Sequence, residues 1–359
     1  MKKRTILHIT ECLGSGVLYY VRNITEWQVE EYDVVVAYST RPETPDNFKN
    51  QFDERVSFIR VNGFTREIEP VNDFKAFNTI RRIVRSVNPD IIHLHSTKAG
   101  VLGRWAINCR KYKVLYSPHA YSFLMQDCSA TKRELYRIIE KLSDRESCLT
   151  IADSDGELEA SRRVTHNAIC IPNGINTKEM DELIGTAKRR VKQSERPRVC
   201  ISGKVVAQKN PRLFNRIAEL CPEYDFIWIG AGPLESELTS GNISITGWVS
   251  REDAVVEIMN SDVFLFTSSW ESLSIALLEV MYMGIPCVVS ACDGNTDIIS
   301  DGVNGYLCTE TSEYVNAIHR LIQGNGEIIT RRAFERIIQE NNTSVMRTRY
   351  KKLFSAYGV

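Results

Sequence analysis

Short apolar runs alternate with stretches of helical period along the whole chain, the arrangement expected of parallel sheets assembled from strand–helix–strand units. About thirteen runs read as strands. The first group comprises residues 6–9, 34–37, 56–59, 91–95, 114–116, 149–152 and 169–171; the second comprises 199–201, 226–229, 243–245, 263–266, 287–289 and 306–307. Between the groups, Pro172-Asn173-Gly174 leads into a polar helical pattern and the charged stretch Lys188 to Arg198. A polar, charged segment with a proline, running straight into a strand, reads as an interdomain linker, so the boundary is expected between 175 and 197. The expected domains are 1–177 and 198–344, with a final helical pattern, Met346 to Tyr357, able to pack on either; residues 345–359 are expected to return to the first.

Composition agrees with two cores. At 359 residues the chain exceeds what one core usually serves. Lys+Arg and Asp+Glu both total 45, a formal net charge of zero, so no global field recruits nucleic acid and any anion is met locally. Ten cysteines lie scattered without CxxC pairs, several within apolar runs, as reduced buried thiols do in a cytoplasmic protein. The spacing offers no zinc site, and neither a signal peptide nor a membrane span is read. Basic clusters at Arg81-Arg82-Arg85 and Arg110-Lys111-Lys113 read as solvated faces that could also touch anionic lipid.

The densest candidate chemistry is Trp270 to Glu279, which follows the strand Val263 to Phe266 and opens a helix. A helix start offers unpaired N–H groups and a positive dipole end, and so accepts phosphate. Ser272, Leu273 and Ser274 form that start, the serines being suitable caps. Glu271 before the helix and Glu279 inside it are separated by roughly 10 Å at about 1.5 Å per residue. That span suits a nucleotide sugar, one acid taking sugar hydroxyls and the other ribose; a capped amphipathic helix with one exposed glutamate fits the same residues. After the first strand of the second group come Gly203-Lys204 and Lys209, whose ammonium groups could clamp a leaving diphosphate or be ordinary surface lysines. Gly230-Ala231-Gly232-Pro233 ends the next strand, a backbone tight enough to admit a base or ribose, or a plain turn. After the first strand of all, Gly14-Ser15-Gly16 would let backbone approach a phosphate or sugar, or serve as a simple turn. Tyr19 stands where a dinucleotide fingerprint wants a third glycine. Among the histidines, His93 is expected to be packed within its strand, while His119, in a loop, is the better candidate for contact with substrate, or else a surface histidine with no role. Asp153-Ser154-Asp155 imitates a metal-binding DxD, but no partner acid cluster accompanies it, and no metal is expected.

In this order the motifs resemble the retaining family 4 glycosyltransferases of GT-B fold. The specific part is Glu271-x7-Glu279, then Met283-Gly284-Ile285-Pro286 and Asp301-Gly302-Val303-Asn304-Gly305; supporting parts are Gly14-Ser15-Gly16, Pro89 to His95, Ser117-Pro118-His119, Pro172-Asn173-Gly174 and Gly230 to Pro233. The resemblance implies an α/β architecture of two Rossmann-like parallel-sheet domains facing across a cleft, the N-terminal one for the acceptor and the C-terminal one for a nucleotide sugar. By the same resemblance Glu279 would bind ribose, Glu271 the donor sugar, Lys204 and Lys209 the diphosphate, and His119 the sugar from the other domain. A hinge near Pro172-Asn173-Gly174 would permit closure. The family usually has arginine where this chain has Lys204, which removes a bidentate grip but keeps the charge. The implied activity is transfer of a hexose from a nucleotide diphosphate sugar, with uridine as the base, without cofactor or metal. The implied acceptor is a glycan or lipid-linked oligosaccharide of a bacterial surface polysaccharide, met in the cytoplasm or in peripheral contact with the inner membrane. A sugar-nucleotide epimerase of similar architecture and a non-catalytic nucleotide-sugar-binding protein remain the alternatives.

Overall fold

The computed structural model describes residues 3–42, 44–65, 67–187 and 196–358. They divide into two compact units, Met1–Asn173 with Met346–Val359, and Gly174–Val345. Among the described residues thirteen strands form two sheets, each wholly parallel.

The first unit contains β1 (Arg4–Thr10), β2 (Tyr32–Tyr38), β3 (Ser57–Arg60), β4 (Ile91–His95), β5 (Lys113–Ser117), β6 (Cys148–Ala152) and β7 (Ala168–Cys170), in the order β3-β2-β1-β4-β5-β6-β7. Helices cover both faces, which is why these strands read as unbroken apolar runs. The period of two sends alternate residues to opposite cores. Ile6, Ile91 and Leu115 pack with the helices Ser15–Glu31 and Thr343–Ala356, while Leu7, Ile92 and Val114 pack on the other side. The C-terminal helix joins this unit through Met346, Tyr350 and Phe354, a four-residue spacing that lines one helical face.

The second unit contains β8 (Arg198–Ser202), β9 (Asp225–Ile229), β10 (Ile243–Ile245), β11 (Val263–Phe266), β12 (Cys287–Ser290) and β13 (Tyr306–Cys308), in the order β10-β9-β8-β11-β12-β13. The helix Thr177–Ala187, expected to belong to a linker, lies in this unit with Met180 and Ala187 buried. The division therefore falls between Asn173 and Gly174, ahead of the expected 175–197; the charged residues 188–195 lie outside the described part of the chain.

Each sheet reverses its winding once, between β1 and β4 and between β8 and β11. Ligands of doubly wound sheets gather at the carboxyl ends of strands beside such a reversal. Gly14 to Gly16 follow β1 and His95 closes β4; Gly203 to Lys209 follow β8 and Ser268 to Glu271 follow β11. No described helix is long and apolar enough to cross a membrane.

Candidate functional site

In the second unit the chain leaves β8 at Gly203, whose φ of +140° suits a residue without Cβ. The loop after β9 lies directly against it. Gly203 N–H donates to Ile229 O at 2.9 Å and Val205 N–H to Ala231 O at 3.0 Å. A Cβ on Gly230 would sit 2.3 Å from the Gly203 carbonyl oxygen, and one on Gly232 would sit 2.3 Å from that of Val205. Contact between the two loops therefore suffices to require Gly230 and Gly232, without a ligand's approach.

Lys209 ends a single turn, Ala207–Lys209, before the helix Pro211–Leu220, which Asn210 caps by accepting from Leu213 N–H at 3.2 Å. Thr267, at the end of β11, donates its hydroxyl to Lys209 O at 2.7 Å and ties the two loops together. The Lys209 ammonium lies 4.0 Å from the centre of the Phe266 ring and donates to Glu271 Oε1 at 2.6 Å. Both side chains are largely buried, 15% and 9% exposed. Lys204, half-buried, stands beside Gly203 on the same loop.

The residues after Glu271 divide their roles. Leu273, expected at the ligand, turns its side chain into the hydrophobic core. Ser274 occupies the cap of the helix Ile275–Met283 without a side-chain cap bond, and that first turn holds no acid. The hydroxyls of Ser268 and Ser272 are buried and find no partner among the described residues. Gly294 packs so closely that a Cβ there would sit 1.7 Å from Ser272 O, which fixes the backbone entering the helix. An uncapped helix start with two unsatisfied buried hydroxyls close in sequence can receive an anion.

Glu279, the fifth residue of that helix, accepts from Arg251 Nη2 at 2.5 Å, and Arg251 also pairs with Glu179. Sequence reasoning missed Arg251 and Glu179. The Ser250-x-x-Asp253 cap signals the start of the helix Arg251–Met259, but no local pattern says what its arginine reaches.

In the first unit Gly14 caps the helix Ser15–Glu31 with no side-chain bond, and a Cβ on Gly16 would meet nothing within 4 Å. Packing does not demand that glycine, and the space beside it is open. His119 follows β5 at φ +52°, and Ala120 at φ +74°. Consecutive non-glycine residues in the left-handed region are strained and need neighbours to hold them. Ala120 N–H donates to Glu157 Oε1 at 2.7 Å, and Glu157 Oε2 accepts from Asp153 N–H at 2.8 Å. His119 Nδ1 lies 2.7 Å from Asp153 Oδ2, and its Nε2 lies 3.0 Å from His95 Nδ1. Both ring nitrogens expected to face a substrate are thus engaged inside the unit, and the side chain is 7% exposed.

Asp153 is buried against His119 while Asp155 is exposed, so the DxD-like pair does not converge. His93 is buried as expected, its Nε2 2.9 Å from Ser117 Oγ. Ring nitrogens of His8, His93 and His95 lie within 4.8 Å of one another, a spacing a metal could use. However, His8 Nδ1 and His95 Nε2 already share a hydrogen bond at 2.9 Å, and of the three rings only His93 leaves a nitrogen without a partner among the described residues. Burial, opposed by a hydrogen bond to the Gln28 amide oxygen, brings the His8 pKa down to about 4, and burial together with neighbouring imidazoles holds His93 and His95 well below the ordinary value. Burial works against charge on His119 as well, yet Asp153, with Glu157 beyond it, raises its pKa. Burial and the charge of Asp153 push Glu157 up to about 7.

Comparison with known proteins agrees with the two-sheet fold. The profile of glycosyl transferases group 1 matches residues 175–324, and that of the glycosyl transferase 4-like domain matches 15–174. The chain is 27% identical over 299 residues to the UDP-Gal:alpha-D-GlcNAc-diphosphoundecaprenol alpha-1,3-galactosyltransferase of Escherichia coli, covering 75% of this chain and 76% of that one. Among solved structures, sucrose-phosphate synthase from Thermosynechococcus elongatus superposes with a TM-score of 0.82 at 19% identity, over 98% of this chain and all of that one. Anabaena HepE in complex with UDP-glucose superposes at 0.79 and 18%, over 98% and 99%. The chain belongs to the group 1 glycosyltransferases of GT-B fold and is a hexosyltransferase.

Proposed function

We propose that the protein moves a hexose from a UDP-sugar, with retention of anomeric configuration, onto a lipid-linked oligosaccharide during synthesis of a bacterial surface polysaccharide. The observation that carries the reading is the group at the β8/β11 reversal: Lys209 paired with Glu271, and an uncapped helix start beside the buried Ser272 hydroxyl. In the donor, the bond from the anomeric carbon to the diphosphate oxygen breaks and negative charge collects on the phosphate. Lys204, Lys209 and the helix N-terminus supply the positive charge that step needs, so no metal is required in this proposal. Glu271 takes hydroxyls of the sugar and Glu279 those of the ribose. The leaving phosphate helps take the proton of the incoming hydroxyl, as the family pattern implies.

The base, acceptor class and pathway are supported by the UDP-galactose donor and diphosphoundecaprenol-linked acceptor that the name of the Escherichia coli relative gives. A lipopolysaccharide 1,6-galactosyltransferase of Salmonella typhimurium, 40% identical over 83 residues, points the same way. A lipid-linked acceptor also suits one surface of the first unit. The helix Ala130–Ser143 exposes Leu135, Ile138 and Leu142 along one face, with Trp105 exposed nearby and bonded through its indole N–H to Ser143. Lys132, Lys141 and Arg145 lie in and just beyond that helix, the composition of a peripheral contact with anionic lipid at the cytoplasmic face of the inner membrane.

The test is thermal stabilisation by nucleoside diphosphates and their sugars, with and without EDTA, followed by transfer to a diphospholipid-linked acceptor. Stabilisation by uridine nucleotides alone, insensitive to chelation, is expected. Turnover of donor without acceptor would instead indicate an epimerase, and no shift with any nucleotide would overturn the reading.

A further inference from the structure

A continuous line of hydrogen bonds crosses the buried face of the first sheet. Gln28 Oε1 lies 2.8 Å from His8 Nε2, His8 Nδ1 2.9 Å from His95 Nε2, His95 Nδ1 3.0 Å from His119 Nε2, and His119 Nδ1 2.7 Å from Asp153 Oδ2. The carboxylate end accepts, and so does the amide oxygen at the other. With the amide turned so that its Nε2, otherwise without a partner among the described residues, donates to His8, three ring protons suffice. With the oxygen facing His8 the four links need four protons while three neutral imidazoles carry three, so one ring holds two.

The environment selects which. Burial disfavours charge on His8 and His95, whereas His119 touches a carboxylate. With the cation on His119, every donor is fixed: His119 donates to Asp153 on one side and to His95 on the other, His95 donates to His8, and His8 donates to Gln28. The charged and titratable groups facing His119 agree with this. Asp153 follows β6, Glu157 lies on the helix Asp155–Arg162, and His95 ends β4. The Tyr20 ring lies 4.4 Å away edge-on, its hydroxyl bonded to that of Tyr350, and burial keeps both phenols neutral.

We propose that Asp153 is a positioning residue of the transferase. It fixes His119 as an imidazolium with neither ring nitrogen turned outward, and so holds the strained His119–Ala120 turn in shape at the carboxyl end of β5. The line through His95 and His8 to Gln28 sets the direction of the ring. This rests on the transferase reading for its consequence in turnover, but not for the protonation state. His119 then acts as a fixed charge and as the anchor of a turn. Replacing Asp153 by asparagine lets that end donate as well as accept, which removes the need for the extra proton.

The experiment is long-range 1H–15N correlation on the full chain carrying 15N-labelled histidine, the six histidines being assigned by single substitutions. At pH 7 His119 is expected with both nitrogens protonated, and His8 and His95 neutral with the proton on Nε2. A neutral His119, or His95 protonated on Nδ1, would overturn the proposal, whatever the enzyme turns over. In Asp153→Asn the His119 titration should move to lower pH, with kcat falling tenfold or more and donor KM changing less than threefold. An unchanged kcat in a variant whose His119 has become neutral would overturn the positioning role. If Asp153→Asn does not fold, the spectrum of the native chain still decides the protonation state; if the native chain shows no turnover, the transferase reading fails separately.

Discussion

Removing Lys209 should destabilise the second unit through Glu271, and removing both should cost no more than removing the lysine alone. An ion pair broken on one side costs about 3–5 kcal/mol when buried and under about 1 kcal/mol when exposed. The pair is 2.6 Å long with side chains 15% and 9% exposed, closer to the buried limit. Lys209→Met also removes the cation from the Phe266 ring 4.0 Å away, a contact of about 0.5–2 kcal/mol. We expect Lys209→Met to cost about 3 kcal/mol, Glu271→Gln about 2 kcal/mol, and the pair of changes together well under their sum, with a coupling of about 2 kcal/mol. At roughly 2–4 °C per kcal/mol for a unit of this size, the single lysine change lowers the melting temperature by about 6–12 °C. The assay is a double-mutant cycle in urea and by calorimetry, read beside donor-dependent stabilisation. A double variant no less stable than Lys209→Met, yet without response to uridine diphosphate, separates the fold role of the pair from its ligand role. Additive effects, with coupling below about 0.5 kcal/mol, would refute the account of Lys209 and Glu271 as mutually compensated charges.

In the proposed site Glu279 takes the ribose, so Glu279→Gln should keep the helix and lose charge-assisted hydrogen bonds worth about 1.5–3 kcal/mol, with uridine diphosphate affinity falling about 10- to 100-fold by calorimetry; undiminished affinity would remove Glu279 from the site. Gly230→Ala places a Cβ 2.3 Å from Gly203 O at φ +137°, and should cost more than about 2 kcal/mol in urea unfolding. Glu157 binds its proton more tightly folded than unfolded, its pKa moving from 4.5 to about 7, so the fold loses stability as pH rises between those values, by about 3 kcal/mol at about 1.4 kcal/mol per unit. His119, also raised, adds a loss in the same direction as pH rises through its folded pKa; Glu157→Gln should flatten the Glu157 part of the slope in melts run from pH 4.5 to 7. Serine at Leu135, Ile138 and Leu142 together should abolish flotation with anionic vesicles while leaving donor stabilisation intact.

The sheets were legible because parallel strands covered on both faces cannot hide their apolar character, and each of the thirteen runs read as a strand overlaps one. The loops at the β8/β11 reversal were legible for a related reason, since Gly203 and the Trp270–Glu279 segment sit where strands end. What the sequence did not disclose depends on contacts far along the chain. Thr177–Ala187 reads as polar, and only the burial of Met180 and Ala187 assigns it to the second unit. Arg251 reaches Glu279 28 residues on. His119 was read as facing substrate because it is in a loop, but its partners come from β4 and from a residue 34 positions later. A signal was available: in parallel register His8 stands opposite His93 and Thr10 opposite His95, so β1 and β4 had to place three imidazoles together. Adjacency of those strands was the missing fact.

The arrangement also suits a chain of zero net charge to the dianionic donor proposed for it. Glu271 and Glu279 are each held by a cation, Lys209 and Arg251. In the proposed reaction, binding is then an exchange. The diphosphate draws Lys209 away, Glu271 turns to sugar hydroxyls, and the ribose competes with Arg251, which keeps Glu179 as a second partner. Each broken pair offsets part of each new contact, so affinity stays moderate while the charges remain placed for the moment when the bond to phosphate breaks. Interactions that strengthen as phosphate charge grows raise turnover, whereas equally strong ground-state contacts would only tighten binding. A site whose acids are already satisfied favours the former.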